Sequence, residues 1–178
     1  MYNNVPLPNP SRTYPYLNIE KVSKKQYLAD LIKQGFSTFL DYDEIKIPER
    51  KTRYSAGYDI YTPVHISLSP FERILVPTGL KVKCEVAGTY FGIYIRSSVA
   101  IHYGLMLTNN KAIIDADYYN NPDNEGHIMI PLCNMTNEDI NIPMDTRIAQ
   151  GIFEPYMITD NDNSTGTRVG GTGSTGTK

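Results

Sequence analysis

Two stretches of this sequence hold side chains of the kind that handle phosphate and water. In 90-YFGIYIRSSVAIHYG-104 a strand delivers Arg96 to Ser97 and Ser98, which precede a short run closed by Gly104. A serine N-cap leaves free backbone N–H groups beside two hydroxyls and a guanidinium, and those donors suit a phosphate. The same residues also spell a plain helix cap with a surface arginine. In 105-LMLTNNKAIIDADYYN-120 two apolar strands flank Asn-Asn-Lys, the pattern of a β-hairpin, and the second strand runs out into Asp115, Asp117 and Tyr118. A carboxylate held there could act as general base toward water, and the tyrosine face could pack on a sugar or ring. A solvated acidic strand end is the plainer reading.

Three further clusters carry charge into apolar surroundings. In 56-AGYDIYTP-63, Gly57 permits an unusual turn and Asp59 then enters a strand core, where it needs a partner, either an arginine or a metal-bound water. Arg147 and Gln150 interrupt the apolar strand 147-RIAQGIFEPY-156, and Arg147 fits either a buried carboxylate or a ligand. The tail 159-TDNDNSTGTRVGGTGSTGTK-178 reads by composition as a flexible segment. Yet Arg168 followed by Gly170, Gly171, Ser174 and Thr175 could fold backbone N–H groups over phosphates.

Short strands must position these groups. Segments 58–62, 73–77, 80–86, 90–96, 127–134 and 147–155 are rich in β-branched and aromatic residues and are bounded by Gly, Pro, Asn or Asp. Leu80, Val82, Cys84 and Val86 alternate with Lys81, Lys83 and Glu85, so one face is apolar. Many short strands predict an all-β sandwich or barrel. One helix is expected over 23–35, with Ser23 and Gln26 as a capping box, Leu28, Leu31 and Ile32 as its apolar stripe, and Gly35 as its stop. Residues 1–16 read as an arm.

The 178 residues carry a net charge of −2, which argues against a mainly electrostatic binder of nucleic acid or anionic lipid. Two cysteines and three histidines lie far apart in sequence, so no zinc site or disulfide framework is expected. The first residues lack the basic and apolar regions of a signal peptide, and no apolar run approaches a membrane span, so a cytoplasmic protein is expected.

Taken in order, Ala-Gly-x-Asp, Arg-Ser-Ser, Ile-Asp-x-Asp-Tyr, Arg-Ile-Ala-Gln and an arginine followed by Gly-Gly and Gly-Ser-Thr-Gly closely resemble the five motifs of the trimeric dUTPases, from about Leu17 to Lys178. The resemblance implies a jelly-roll-like β-barrel over 17–158 with an inserted helical segment at 23–44, and a Gly-rich C-terminal lid over 159–178. It implies a homotrimer with shared active sites, and Mg2+-assisted cleavage of dUTP to dUMP and pyrophosphate. Asp115 would then activate the water that attacks the α-phosphorus and accept a hydrogen bond from the 3′-hydroxyl. Tyr118 would stack on the deoxyribose and leave no room for a 2′-hydroxyl. The backbone from Asn109 to Ile114 would pair with uracil; cytosine presents the reversed donor and acceptor pattern, a mismatch able to discriminate by ~10⁴–10⁵. Arg96, Ser97, Ser98 and Gln150 would hold phosphates, Arg168 with Gly170, Gly171, Ser174 and Thr175 would close over the triphosphate, and Asp59 would lie near the water shell of Mg2+.

The chain departs from the family pattern in several places. Ala112 stands where the family has glycine, 119–125 is an insertion after Tyr118, and the spacing from Arg168 to Gly171 is one residue short. Thr172 replaces the aromatic that caps uracil, a stack worth ~1–3 kcal/mol; Tyr103 and Tyr119 are the candidate substitutes. Two other readings compete. A dCTP deaminase shares the fold, but its general-base glutamate aligns with Pro131, which cannot transfer a proton. A regulatory protein on a dUTPase scaffold would use the arm and the inserted helix to bind a partner.

Overall fold

The computed structural model describes residues 17–166 together with Arg168 and Gly170. The arm 1–16 and half of the expected lid, including Gly171, Thr172, Ser174 and Thr175, lie outside the described residues.

Alternation sets most of the strands. In β5 (Leu80–Cys84) Leu80, Val82 and Cys84 are buried while the lysines between them reach outward. The short strands β3 (Ile66–Leu68) and β10 (Ile140–Ile142) each bury their two outer residues and expose the middle one. Four antiparallel strands form the larger sheet: β2 (Tyr58–Tyr61), β11 (Arg147–Pro155), β6 (Thr89–Ile95) and β8 (Ala112–Ile114), in that spatial order. Three more, β4 (Arg73–Pro77), β9 (Met129–Asn134) and β7 (Leu105–Leu107), form the second. Strand β1 (Leu17–Lys21) pairs with β5, and β3 with β10, as two-stranded ribbons. Phe91, Ile93 and Ile148 of the larger sheet share one core with Val76, Ile130 and Leu132 of the second. The all-β, jelly-roll-like expectation holds.

The expected hairpin at 105–114 does not form as such. Strand β7 pairs with β9 and β8 pairs with β6, so the two strands leave the Asn-Asn-Lys turn into different sheets. The turn itself is tight, with Asn110 at φ +60° and its N–H on the carbonyl of Leu107 at 3.1 Å. Each strand finds a better-matched partner across the core than its neighbour in sequence, and the turn becomes a corner between sheets.

Helix α1 (Lys24–Lys33) starts at Ser23, whose Oγ accepts from the Gln26 N–H at 3.1 Å. The reciprocal half of the capping box is absent, because the Gln26 amide turns to Asp30 at 2.8 Å. The stripe is also rotated from expectation: Tyr27 and Leu31 are fully buried and Ile32 is 73% exposed. Tyr27 and Leu31 are four residues apart, one above the other, and fill the face toward the barrel. At the other end Gly35 has φ +81°, and the N–H groups of Gly35 and Phe36 return to the carbonyls of Ile32 and Leu31, a Schellman stop.

Candidate active site

Strand register gathers one set of polar groups at an end of the larger sheet. Asp59 on β2 lies opposite Gln150 on β11, Arg147 opens β11, and Arg96 follows β6 directly. The buried Asp59 carboxylate takes one guanidinium on each oxygen: Arg96 Nε forms an ion pair with Oδ1 at 3.0 Å and Arg147 Nη1 donates to Oδ2 at 2.9 Å. Of the two partners open to Asp59 in the sequence, the structure places arginines. Arg96 itself is the N-cap of α2 (Ser97–Tyr103), with Ser97 and Ser98 in the first turn, not at the cap. Gly57 lets the Gln150 side chain lie against the backbone, since a Cβ there would sit 2.3 Å from Gln150 Oε1. These residues line a cavity of about 320 Å³, together with Lys51 and Ser55. Those last two come from an irregular loop with no periodicity or motif to mark them in the sequence.

The second cavity, about 260 Å³, opens between the two sheets. Asn109, Ala112 to Asp115 and Tyr118 form one wall, and Leu75, Met129 and Pro131 from β4 and β9 form an apolar floor. Ala112 is paired opposite Ile93 in ordinary strand, so a Cβ is accommodated at the position where the family pattern leads one to expect glycine. Lys111 fastens the turn to β11, pairing with Glu154 at 2.9 Å and with the Tyr90 hydroxyl. Burial alone would raise the Glu154 carboxyl, but hydrogen bonds from Lys111, Tyr94 and Tyr90 outweigh it and hold the group below its ordinary value. The Tyr118 ring faces the cavity with its hydroxyl donating to the His127 carbonyl at 3.2 Å.

Arg168, which the resemblance assigns to phosphate, lies across this cavity. Its Nη2 meets Asp115 Oδ2 at 2.6 Å, its Nε meets Asp117 Oδ1 at 2.9 Å, and the guanidinium stands 5.7 Å from the centre of the Tyr118 ring. Two adjacent carboxylates present the fork geometry a guanidinium favours. Gly170 is described beside it and is half-buried. Neither candidate for the missing uracil cap lines this cavity. Tyr119 turns to Glu20 on β1, donating at 2.9 Å beneath Lys81, and Tyr103 packs against the core at the end of α2.

The two cavities are far apart within one chain. Ile114 pairs with Phe91 near the start of β6, whereas Arg96 emerges beyond its end. At ~3.3 Å per residue, Asp115 and Arg96 are separated by about 20 Å along the strand direction.

The dUTPase family model matches residues 43–176, which contain every residue of both cavities. The deoxyuridine 5′-triphosphate nucleotidohydrolase of Lactococcus lactis is 44% identical over 147 residues, covering 80% of this chain and 97% of the relative. That of Desulfitobacterium hafniense is 32% identical, covering 74% and 87%. Among solved structures, the dUTPase from Streptococcus mutans superposes with a TM-score of 0.65 at 33% identity, over 80% of this chain and 98% of that one. Helix α1 precedes the matched family segment, while β2 to β11 and their two cavities fall within it: the chain belongs to the dUTPase family.

Proposed function

We propose that the protein hydrolyses dUTP to dUMP and pyrophosphate, with Asp115 as general base. One observation carries the base specificity. Strand β8 is the last strand of its sheet, so one edge of its backbone faces the cavity that holds Asp115 and Tyr118. An open strand edge offers N–H and C=O groups in a fixed order. Uracil matches such a row by its own N–H between two carbonyls, and cytosine, with donor and acceptor exchanged, leaves buried groups unpaired. Tyr118 stacks on the deoxyribose, and a 2′-hydroxyl would meet its ring.

Asp115 takes a proton from a water, whose oxygen then bonds to the α-phosphorus. The bond from that phosphorus to the bridging oxygen breaks, and pyrophosphate leaves. Arg168 covers Asp115 in the described state. Substrate phosphates compete for that guanidinium, which frees the carboxylate to act as a base. Arg96, Ser97, Ser98 and Gln150 hold the phosphates, with Asp59 keeping Arg96 and Arg147 in register.

The donor set fits Mg2+ carried by the triphosphate. Both oxygens of Asp59 are engaged by guanidiniums, and no three His, Cys, Asp or Glu side chains converge among the described residues. With Asp59 committed to the two arginines, the ion would take its direct ligands from the triphosphate. When bound, Mg2+ neutralises phosphate charge and raises the electrophilicity of phosphorus.

A gap of about 20 Å between Asp115 and Arg96 in one chain is too wide for a base and its own α-phosphate. This supports a homotrimer in which the uridine cavity of one copy meets the phosphate cluster of another. Deamination of dCTP is disfavoured because Pro131, on the cavity floor, has no proton to transfer. Two assays test the reading. Asp115→Asn should abolish pyrophosphate release from dUTP with the oligomer intact, and dCTP should release no ammonia; turnover retained by Asp115→Asn refutes the assigned base.

A further inference from the structure

Helix α1 lies outside the segment shared with the dUTPase family model, yet it is bonded directly to the loop that carries Tyr118. Glu125 closes the helix N-terminus, accepting from the Ser23 N–H at 2.9 Å and from the Ser23 hydroxyl at 2.6 Å. This supplies the half of the cap that Gln26 does not. Farther along the helix, the buried Asp30 meets His127 Nδ1 at 2.6 Å. The Gly79 N–H donates to His127 Nε2 at 2.7 Å, so the imidazole proton belongs on Nδ1 and points to Asp30. His127 is entirely buried, and both ring nitrogens are committed.

The loop that ends in those two anchors begins at one aromatic ring. The Tyr118 hydroxyl donates to the His127 carbonyl at 3.2 Å and accepts from Asn124 Nδ2 at 2.9 Å. Asn121 fixes the backbone of the same residue, its Nδ2 donating to the Tyr118 carbonyl at 2.8 Å. Tyr118 is thus held at both its hydroxyl and its main chain, by a loop whose far end is itself tied to α1 through Glu125 and His127. The other face of the ring looks into the cavity beside Asp115.

We infer that α1 is a positioning element for sugar recognition: through Glu125 and the Asp30–His127 pair it fixes the ring against which the deoxyribose packs. The inference rests on the proposed role of Tyr118 as the sugar face. Exclusion of a 2′-hydroxyl depends on a ring that cannot withdraw, since a wall able to shift by a fraction of an ångström admits the extra oxygen. Asp30, Glu125 and Asn124 touch no substrate; they act through Tyr118.

The test compares kcat/KM for dUTP and UTP in the full-length protein. Glu125→Ala and Asn124→Ala should each narrow the dUTP to UTP ratio by about 5- to 20-fold, mostly through improved use of UTP, and Glu125→Gln, which keeps an acceptor for Ser23, should recover part of it. Asp30→Asn should act in the same direction. Tyr118→Ala serves as the reference. If Tyr118→Ala collapses the ratio while Glu125→Ala and Asn124→Ala leave it within twofold, the role of α1 is overturned and the sugar face stands. If Tyr118→Ala itself leaves the ratio unchanged, the reading of the sugar face fails, and the inference with it. Circular dichroism of each variant separates a loosened ring from an unfolded chain, because a merely destabilised enzyme loses both substrates in proportion.

Discussion

Asp59→Asn is the most informative single change in the phosphate cluster. The side chain keeps its shape but loses its charge, and its amide presents N–H donors to one of two guanidiniums that need an acceptor. Hydrogen bonds to charged groups contribute ~1.5–3 kcal/mol each. The side chains of Arg96 and Arg147 are 24% and 39% exposed, so water recovers part of the loss, and a global destabilisation of only ~1–2 kcal/mol is expected. Catalysis should suffer more. Two forces oppose each other: removing a negative charge strengthens the general attraction for polyphosphate, while freeing Arg96 and Arg147 removes their fixed orientation. Attraction acts on ground state and transition state alike, whereas orientation matters most in the transition state. We therefore expect kcat to fall by ~10–100-fold, equivalent to ~1.4–2.8 kcal/mol, with inhibition by pyrophosphate unchanged or tighter. The assay is pyrophosphate release from dUTP across a magnesium titration, with thermal melting as the folding control. Under the arginine-organising role the magnesium midpoint stays where it is. A midpoint shifted tenfold, with full activity restored by excess magnesium, would refute this reasoning and return Asp59 to the metal's water shell.

Gly151→Ala should destabilise the fold by ~1–3 kcal/mol or more in thermal melts, because the new Cβ would lie 1.8 Å from Phe91 Cζ in the barrel core. Glu154→Ala releases Lys111 from β11 and should raise KM for dUTP several-fold with little change in kcat, read from initial rates. Acid should act through Asp30. Burial alone would raise its carboxyl, but hydrogen bonds from His127 and Gln26 prevail and lower it below the ordinary 3.8. A lowered folded-state value contributes stability that is complete above about pH 4 and is lost as pH falls through that value. Urea titrations between about pH 5 and pH 2.5 should therefore show a shallower acid loss in Asp30→Asn than in the native protein.

Most of the polar residues that line the two cavities are more legible in the sequence than the pairing of its strands. Alternation in 80–86 and the Gly and Pro punctuation announced short strands, because burial of one face leaves a period of two in the residues themselves. Partner choice leaves no such mark: 105–114 has the spelling of a hairpin, but long-range packing sends β7 to β9 and β8 to β6. Helix α1 shows its caps in the sequence, yet its buried stripe is rotated by one position from the expected one, since Ile32 is more apolar than Tyr27 and only the barrel decides which is covered. The acid in 56–63 announces its need for a partner, an arginine or a metal-bound water, and Arg147 supplies one. That Arg96 shares it depends on strand register. Lys51, Ser55 and the Asp30–His127 pair were invisible, being contacts between residues distant in sequence that belong to no motif.

The corner at 108–111 has a mechanical meaning. Its two flanking strands belong to different sheets, and the cavity it borders has one wall from each. A base seated there is a keystone, bridging layers that are otherwise joined by side-chain packing and a few short links of chain. Occupancy should thus stiffen the whole barrel rather than the turn alone, with amide protons of β9 and β6 slowing in exchange together, so that under the proposed function the act of reading a base also braces the reader.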